Sequence, residues 1–325
     1  MNPVLDTLPI LILNPHNRCN CRCVMCDIWK TDTASEISAE ELERHAADME
    51  RLRVEWVVFT GGEPLMHSDL FRLCRLLRER RIRTTVLSTG LLLKRYSREI
   101  VEHVDDLIVS LDGPPEIHDR IRRVRGAFTS LSAGVAAILR LRPEFPISVR
   151  STVQNLNCAS LRETVATARE LGVRSTSFLA ADVTSTAFNR PDGWLLPRQD
   201  EVAVTENRLP LLDTEIEALI SEGECGGFVV ESPAKLRKIG LHFRAHLDRA
   251  GVCAPRCNAP WVSAVVESDG LVRPCFFHAP IGRLDSGKSL IDVLNGPEAV
   301  TFRTNLDVST NPICSRCVCS LYRAE

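Results

Sequence analysis

Strand-like runs alternate with helical stripes six times in the first 180 residues, and this alternation constrains the fold more than any other feature. The runs cover Ile10 to Asn14, Glu55 to Thr60, Arg83 to Ser88, Asp106 to Leu111, Ile147 to Val153 and Arg174 to Ala180. Between them apolar residues recur at helical spacing: Leu42, Ala46 and Met49, then Leu70, Leu73, Cys74 and Leu77. Phe128, Leu131, Val135 and Ile138 form a third stripe, and Leu161, Val165, Ala168 and Leu171 a fourth that ends at Gly172. Ser38 with Glu41, and Ser160 with Glu163, have capping-box spacing at two helix starts. Such alternation builds parallel sheets with crossover helices, and six units fall short of the eight that close a barrel. The expected fold is therefore α/β, a partial (β/α)6 barrel.

In barrels of this kind chemistry gathers in the loops leaving the carboxyl ends of the strands. Here those loops carry Cys19, Cys21, Cys23 and Cys26 after the first strand and Gly61-Gly62-Glu63-Pro64 after the second. Ser88-Thr89-Gly90 follows the third, Ser110-Leu111-Asp112-Gly113 closes the fourth, and Arg150 lies on the fifth. A 4Fe-4S cluster takes four thiolates, so the C-x3-C-x2-C set of Cys19, Cys23 and Cys26 would leave one iron open. A zinc knuckle completed by Cys21 and a chance grouping of cysteines are the alternatives. Paired glycines let backbone approach a ligand, and a carboxylate takes a charge-assisted bond from an ammonium, although the same residues also make ordinary turns. Ser110 and Asp112, two apart, share a face, and the guanidinium of Arg150 or Arg122 matches a carboxylate.

The run Asn17-Arg18-Cys19-Asn20-Cys21-Arg22-Cys23-Val24-Met25-Cys26-Asp27-Ile28-Trp29 resembles the cluster loop of radical SAM enzymes. That resemblance implies an open iron that chelates S-adenosylmethionine and a 5′-deoxyadenosyl radical that abstracts hydrogen. It assigns Gly61, Gly62, Glu63 and Pro64 to the methionine end of the cofactor and Ser110 and Asp112 to its ribose; Arg150, with Arg122 as the alternative, is the candidate partner of the methionine carboxylate, and Ser88 is a candidate for an added hydroxyl contact. An asparagine often stands before the glycine where this chain has Ser88-Thr89-Gly90. Ser110 to Asp119 is similar to the fourth-strand segment of the SPASM and twitch branch.

Cys257-x12-Gly270-x4-Cys275 with Cys314-x2-Cys317 resembles the auxiliary-cluster motif of that branch. Four thiolates saturate one cluster, whereas a full SPASM domain needs about eight, so a twitch-type domain is expected; a structural zinc is the alternative. The expected domains are residues 1–180, the barrel; 181–250, an insertion with helices around Leu212, Ile216 and Leu219 and over Leu236 to Leu247, a candidate cover; and 251–325, the auxiliary domain. Asp182, Thr184, Ser185, Thr186, Asn189 and Arg190 are candidates to line the substrate pocket. Cys225, Cys253 and Cys319 are candidate hydrogen-atom donors, and His242 and His246 are expected on a solvated helix face.

Length, 325 residues with 44% hydrophobic, suits about two domains. The balance of 40 basic against 42 acidic residues, with no basic run, argues against nucleic acid. No apolar stretch approaches a membrane span, and Met1 to Leu13 lacks signal-peptide features, so the expected location is cytoplasmic. Thirteen cysteines, an odd count, imply reduced thiols. The resemblance implies an enzyme with two 4Fe-4S clusters and S-adenosylmethionine that oxidises or epimerises a small polar molecule, its electron coming from a donor such as flavodoxin or ferredoxin. The rival enzyme is a peptide maturase working with a separate peptide-binding partner, because 18 residues before Cys19 are too few for a leader-binding domain. The non-enzyme rival is an iron-sulfur or zinc sensor.

Overall fold

A computed structural model describes residues 1–31, 34–248, 255–285 and 287–324. The six runs form β1 Ile10–Leu13, β2 Trp56–Phe59, β3 Arg83–Ser88, β4 Asp106–Ser110, β5 Ile147–Val153 and β6 Ser175–Ala180, each parallel to the next. Strand order follows chain order without reversal, as in a barrel rather than a doubly wound sheet. Three further strands follow: β7 Ser263–Val266, β8 Leu271–Arg273 and β9 Gly282–Arg283. β7 pairs in parallel with β1, Ile10 opposite Ser263, and β8 and β9 continue antiparallel. The C-terminal segment thus closes the β1 edge of the barrel sheet. The β6 edge is blunted differently: Thr176 N donates to Phe228 O, and Phe178 N donates to the Glu231 carboxylate at 2.9 Å.

Helices sit where the stripes place their apolar residues. Leu70, Leu73, Cys74 and Leu77 are buried on Leu70–Glu79, and Leu131, Val135 and Ile138 on Ala127–Leu141. The Ser38–Glu41 capping box is present, but His45 breaks the first stripe into two helices, Ala39–Arg44 and Ala46–Arg51. Ser160 makes no box with Glu163. Instead Glu215, from the Leu209–Ser221 helix, accepts from Arg162 N at 2.9 Å, so a tertiary carboxylate serves that helix N-terminus. The second helix of the insertion spans Pro233–Leu247, and there the expectation for two histidines fails: His242 and His246 are buried, because that face packs toward residues 181–200.

The apolar core has two parts. One fills the space between the sheet and its helices. The other joins the insertion to the sixth unit and to the cysteine loop, with Val24 packed among Val183, Val204, Leu236 and Phe243. Among the described residues no single helix is long and apolar enough to cross a membrane; Pro115–Arg122 and Ala127–Leu141 reach that length only as a pair bent by 110°.

Candidate metal centre and cofactor site

The loop after β1 is held by backbone and by one histidine. His16 is fully buried; its Nδ1 accepts from Arg18 N at 3.0 Å, so its Nε2 donates to Glu63 O at 2.5 Å. Glu63 N donates to Arg18 O at 2.9 Å, locking the loop after β2 against the loop after β1. Only glycine fits at Gly62, where a Cβ would lie 1.9 Å from Arg18 O. On the other side Arg22 N and Val24 N donate to the carbonyls of Arg122 and Ile121.

This scaffold turns Cys19, Cys23 and Cys26 toward one another. Burial, with the facing thiols adding to it, pushes Cys19 and Cys26 up to about 12. Cys21 and Cys23 hydrogen-bond each other, which pulls Cys23 down and Cys21 up; Arg122 Nη1 lies 3.6 Å from Cys23 Sγ. Burial opposes the charge on Arg122, but Asp112, its Oδ2 2.6 Å from Arg122 Nη2, and the cysteines outweigh it and hold the pKa above the ordinary value. Among the described residues no group of three metal-binding side chains is drawn in to ligand spacing.

The candidate cofactor residues share the same rim. Glu63 is fully buried and accepts from Ser88 Oγ at 2.9 Å, Thr89 N at 2.6 Å and Leu65 N at 3.1 Å; burial outweighs these bonds and raises its pKa. Ser88 is thereby a partner of Glu63. Asp112 accepts from Thr152 N at 2.9 Å and pairs with Arg122. Ser110 stands opposite Arg150 in the β4–β5 register, and Arg150 Nε is buried with no partner.

The distal cysteines also converge. Cys257, Cys275, Cys314 and Cys317 lie within electrostatic reach, and burial followed by neighbouring thiols raises Cys275 and Cys314 to about 11. Cys319 is exposed, and its carbonyl accepts from Cys317 Sγ. Cys225 is not brought to this rim: its bridge partner Val229 also pairs with Thr176, at the amino end of β6. Cys253 lies outside the described residues.

Residues 182–198 join the two cysteine sets. Asp182 and Arg190, candidates for the pocket wall, are buried and pair at 2.6 Å, so they brace the segment. Asp27 takes Trp194 Nε1 at 2.7 Å, and its N–H donates to Phe188 O at 3.3 Å. Phe188 and Asn189 hold left-handed φ of 59° and 61°, a strain that such packing sustains. The Phe188 ring stacks on Phe276, centroids 6.4 Å apart, and meets Phe277 edge-on, both next to Cys275.

The donor chemistry fits the groups the motifs imply. Mutually opposed thiols favour a cationic centre, and the unpartnered Arg150 Nε awaits an acceptor.

The family model of the radical SAM superfamily matches residues 13–181. The chain belongs to the radical SAM superfamily. A second model, the SPASM iron-sulfur cluster-binding domain, matches residues 257–318 of this radical SAM protein. Its cofactors are accordingly 4Fe-4S clusters and S-adenosylmethionine. It is 32% identical over 162 residues to the AdoMet-dependent heme synthase of Methanosarcina barkeri, covering 47% of this chain and 45% of that one. It is 27% identical over 266 residues to the PqqA peptide cyclase of Ruegeria pomeroyi, covering 80% of this chain and 65% of that one. The chain thus spans less than two thirds of the length of either relative. Its fold matches that of Streptococcus suis SuiB bound to S-adenosylmethionine, with TM-score 0.68, 16% identity and coverage of 98% of this chain and 74% of that one. SuiB has also been solved with its precursor peptide SuiA, with TM-score 0.66, 15% identity and coverage of 98% of this chain and 73% of that one.

Sequence reasoning missed His16, Phe188 and His278 in this radical SAM site. Only His16 had a signal, its position directly before the run that begins at Asn17.

Proposed function

We propose that this radical SAM enzyme abstracts hydrogen from a carbon of a small polar substrate and oxidises it. Residues 1–180 form the catalytic barrel, 181–250 its cover and 251–325 a twitch-type module with one auxiliary cluster. Cys19, Cys23 and Cys26 hold the first cluster, and Cys257, Cys275, Cys314 and Cys317 the second. Gly61 to Pro64, Ser110, Asp112 and Arg150 receive S-adenosylmethionine, with Ser88 orienting Glu63. When bound, these groups supply one electron and a 5′-deoxyadenosyl radical.

The observation that carries the reading is the Phe188 bridge: its carbonyl accepts from Asp27 N, next to Cys26, and its ring stacks on Phe276, next to Cys275, so one residue links the segments that carry the two cysteine sets. Two of the candidate hydrogen-atom donors are poorly placed for epimerisation, Cys225 at the opposite rim and Cys319 exposed, which supports oxidation. Peptide modification is the second reading, supported by the similarity to a peptide cyclase over 80% of this chain. Arg22, Arg120, Arg123 and Arg125 are exposed beside the first loop and suit an acidic electron donor such as flavodoxin or ferredoxin. The described cysteines are all free thiols, which supports a reducing, cytoplasmic compartment.

Anaerobic reconstitution tests the assignment. About eight irons per chain are expected, falling to about four in C314A/C317A, with 5′-deoxyadenosine formed by the reduced protein. Deuterium transfer from a labelled small molecule, rather than from a peptide, into 5′-deoxyadenosine decides the substrate class. Four irons in the parent protein refute the auxiliary cluster, and absence of cleavage refutes the radical chemistry.

A further inference from the structure

We propose that His278 is a positioning residue of the auxiliary cluster, donating its Nε2–H to the Cys314 sulfur and raising the cluster's reduction potential, anchored to the barrel through Arg273, Glu267 and Asn14. The inference rests on the reading above that Cys314 is a cluster ligand.

His278 is 5% exposed and its Nε2 lies 3.4 Å from Cys314 Sγ. A cluster-bound thiolate carries no proton, so this contact requires the imidazole to donate. The ring is fixed edge-on against Phe302, with centroids 4.9 Å apart. The backbone N–H groups of Phe277 and His278 are directed at Cys275. One residue therefore addresses two of the four candidate ligands, by main chain and by side chain.

Its anchorage is continuous. The His278 carbonyl accepts from Arg273 Nη1 at 3.0 Å, and Arg273 Nε donates to Glu267 Oε1 at 3.0 Å. Glu267 Oε2 accepts from Asn14 Nδ2 at 2.7 Å, and Asn14 follows β1 two residues before His16, which holds the Glu63 loop. Hydrogen bonds thus run from the cofactor rim to the auxiliary thiolates across the β1–β7 seam. A donor at a cluster sulfur stabilises the reduced, more negative state, and such outer partners also orient their ligands.

The experiment uses the full chain carrying C19A/C23A/C26A, so that only the auxiliary cluster loads, titrated redox-potentiometrically with EPR detection. About four irons are expected in this protein and in H278F and H278Q. H278F is expected to make reduction about tenfold less favourable, a shift of about 59 mV to lower potential, and H278Q, which keeps a donor, to recover most of it. An unchanged midpoint in H278F overturns the proposal. ENDOR of the unsubstituted His278 protein labelled with 15N-histidine supplies a second readout that needs no folded variant. A weak nitrogen coupling supports donation, whereas no coupling, or the strong coupling of direct ligation, overturns it. Full iron retention in C314A would instead overturn the ligand assignment on which the proposal rests.

Discussion

Arg122→Met removes a guanidinium enclosed between Asp112 and Cys23. The ion pair is 2.6 Å long and its side chains are 8% and 0% exposed, so little solvent screens what remains. Methionine keeps much of the stem packing, but the Asp112 carboxylate is left buried with Thr152 N, at 2.9 Å, as its donor. Breaking a buried pair from one side costs about 3–5 kcal/mol, because an uncompensated charge stays inside. Adding Asp112→Asn removes that charge, and D112N/R122M is expected to recover about half of the loss, a coupling of roughly 2 kcal/mol. Urea unfolding of the reduced apoprotein, followed by fluorescence and circular dichroism together, reads this as a fall in midpoint at constant slope. R122M within about 1 kcal/mol of the parent, or a double variant no more stable than R122M, would refute the argument that the pair is effectively unscreened.

Three further outcomes are expected. Gly62→Ala should destabilise by about 2–4 kcal/mol, from overpacking and the lost Glu63–Arg18 backbone bond, and weaken S-adenosylmethionine binding in equilibrium dialysis. Gly227→Ala, where a Cβ meets Glu224 O at an ordinary 3.6 Å, should change neither. Burial pushes His242 from 6.5 down to about 4, so the unfolded chain binds the extra proton between those values. Stability from this group is complete above pH ~6.5 and falls by about 3 kcal/mol as pH drops toward 4; urea midpoints against pH should show that slope reduced in H242L, while His118, also pushed down by burial, contributes to both proteins. Reversing Arg120, Arg123 and Arg125 to glutamate should slow cluster reduction by flavodoxin about tenfold or more at low salt and leave dithionite reduction unchanged. Equal rates with flavodoxin would place its docking elsewhere.

The six barrel strands were legible to within a residue at each end, because β-branched runs bounded by turns have few other uses, whereas β7, β8 and β9 were not read from the sequence. The cysteine spacings were legible too, since ligand sets are local in the chain. The contacts that brace the sites were not. Ser160 carries a capping signal that Glu215 overrides from 55 residues away in a helix of the insertion, and His242 and His246 sit at a spacing that suits a surface as well as a core. Glu267, Arg273 and His278 read as ordinary polar residues of a hairpin until the β1–β7 pairing places Asn14 beside them.

The amino-acid sequence by itself determined the parallel α/β framework, the two cysteine sets and the rim on which the first set lies. Periodicity and short-range spacing carry that information, because each element's burial depends on its own residues. Only the tertiary structure decided that the C-terminal segment completes the barrel edge, that Phe188 spans the two sets, and that Asp112 faces Arg122 and His278 faces Cys314. Those contacts join residues far apart in the chain, and a buried charge or donor finds its partner only after the sheet has brought both to one place.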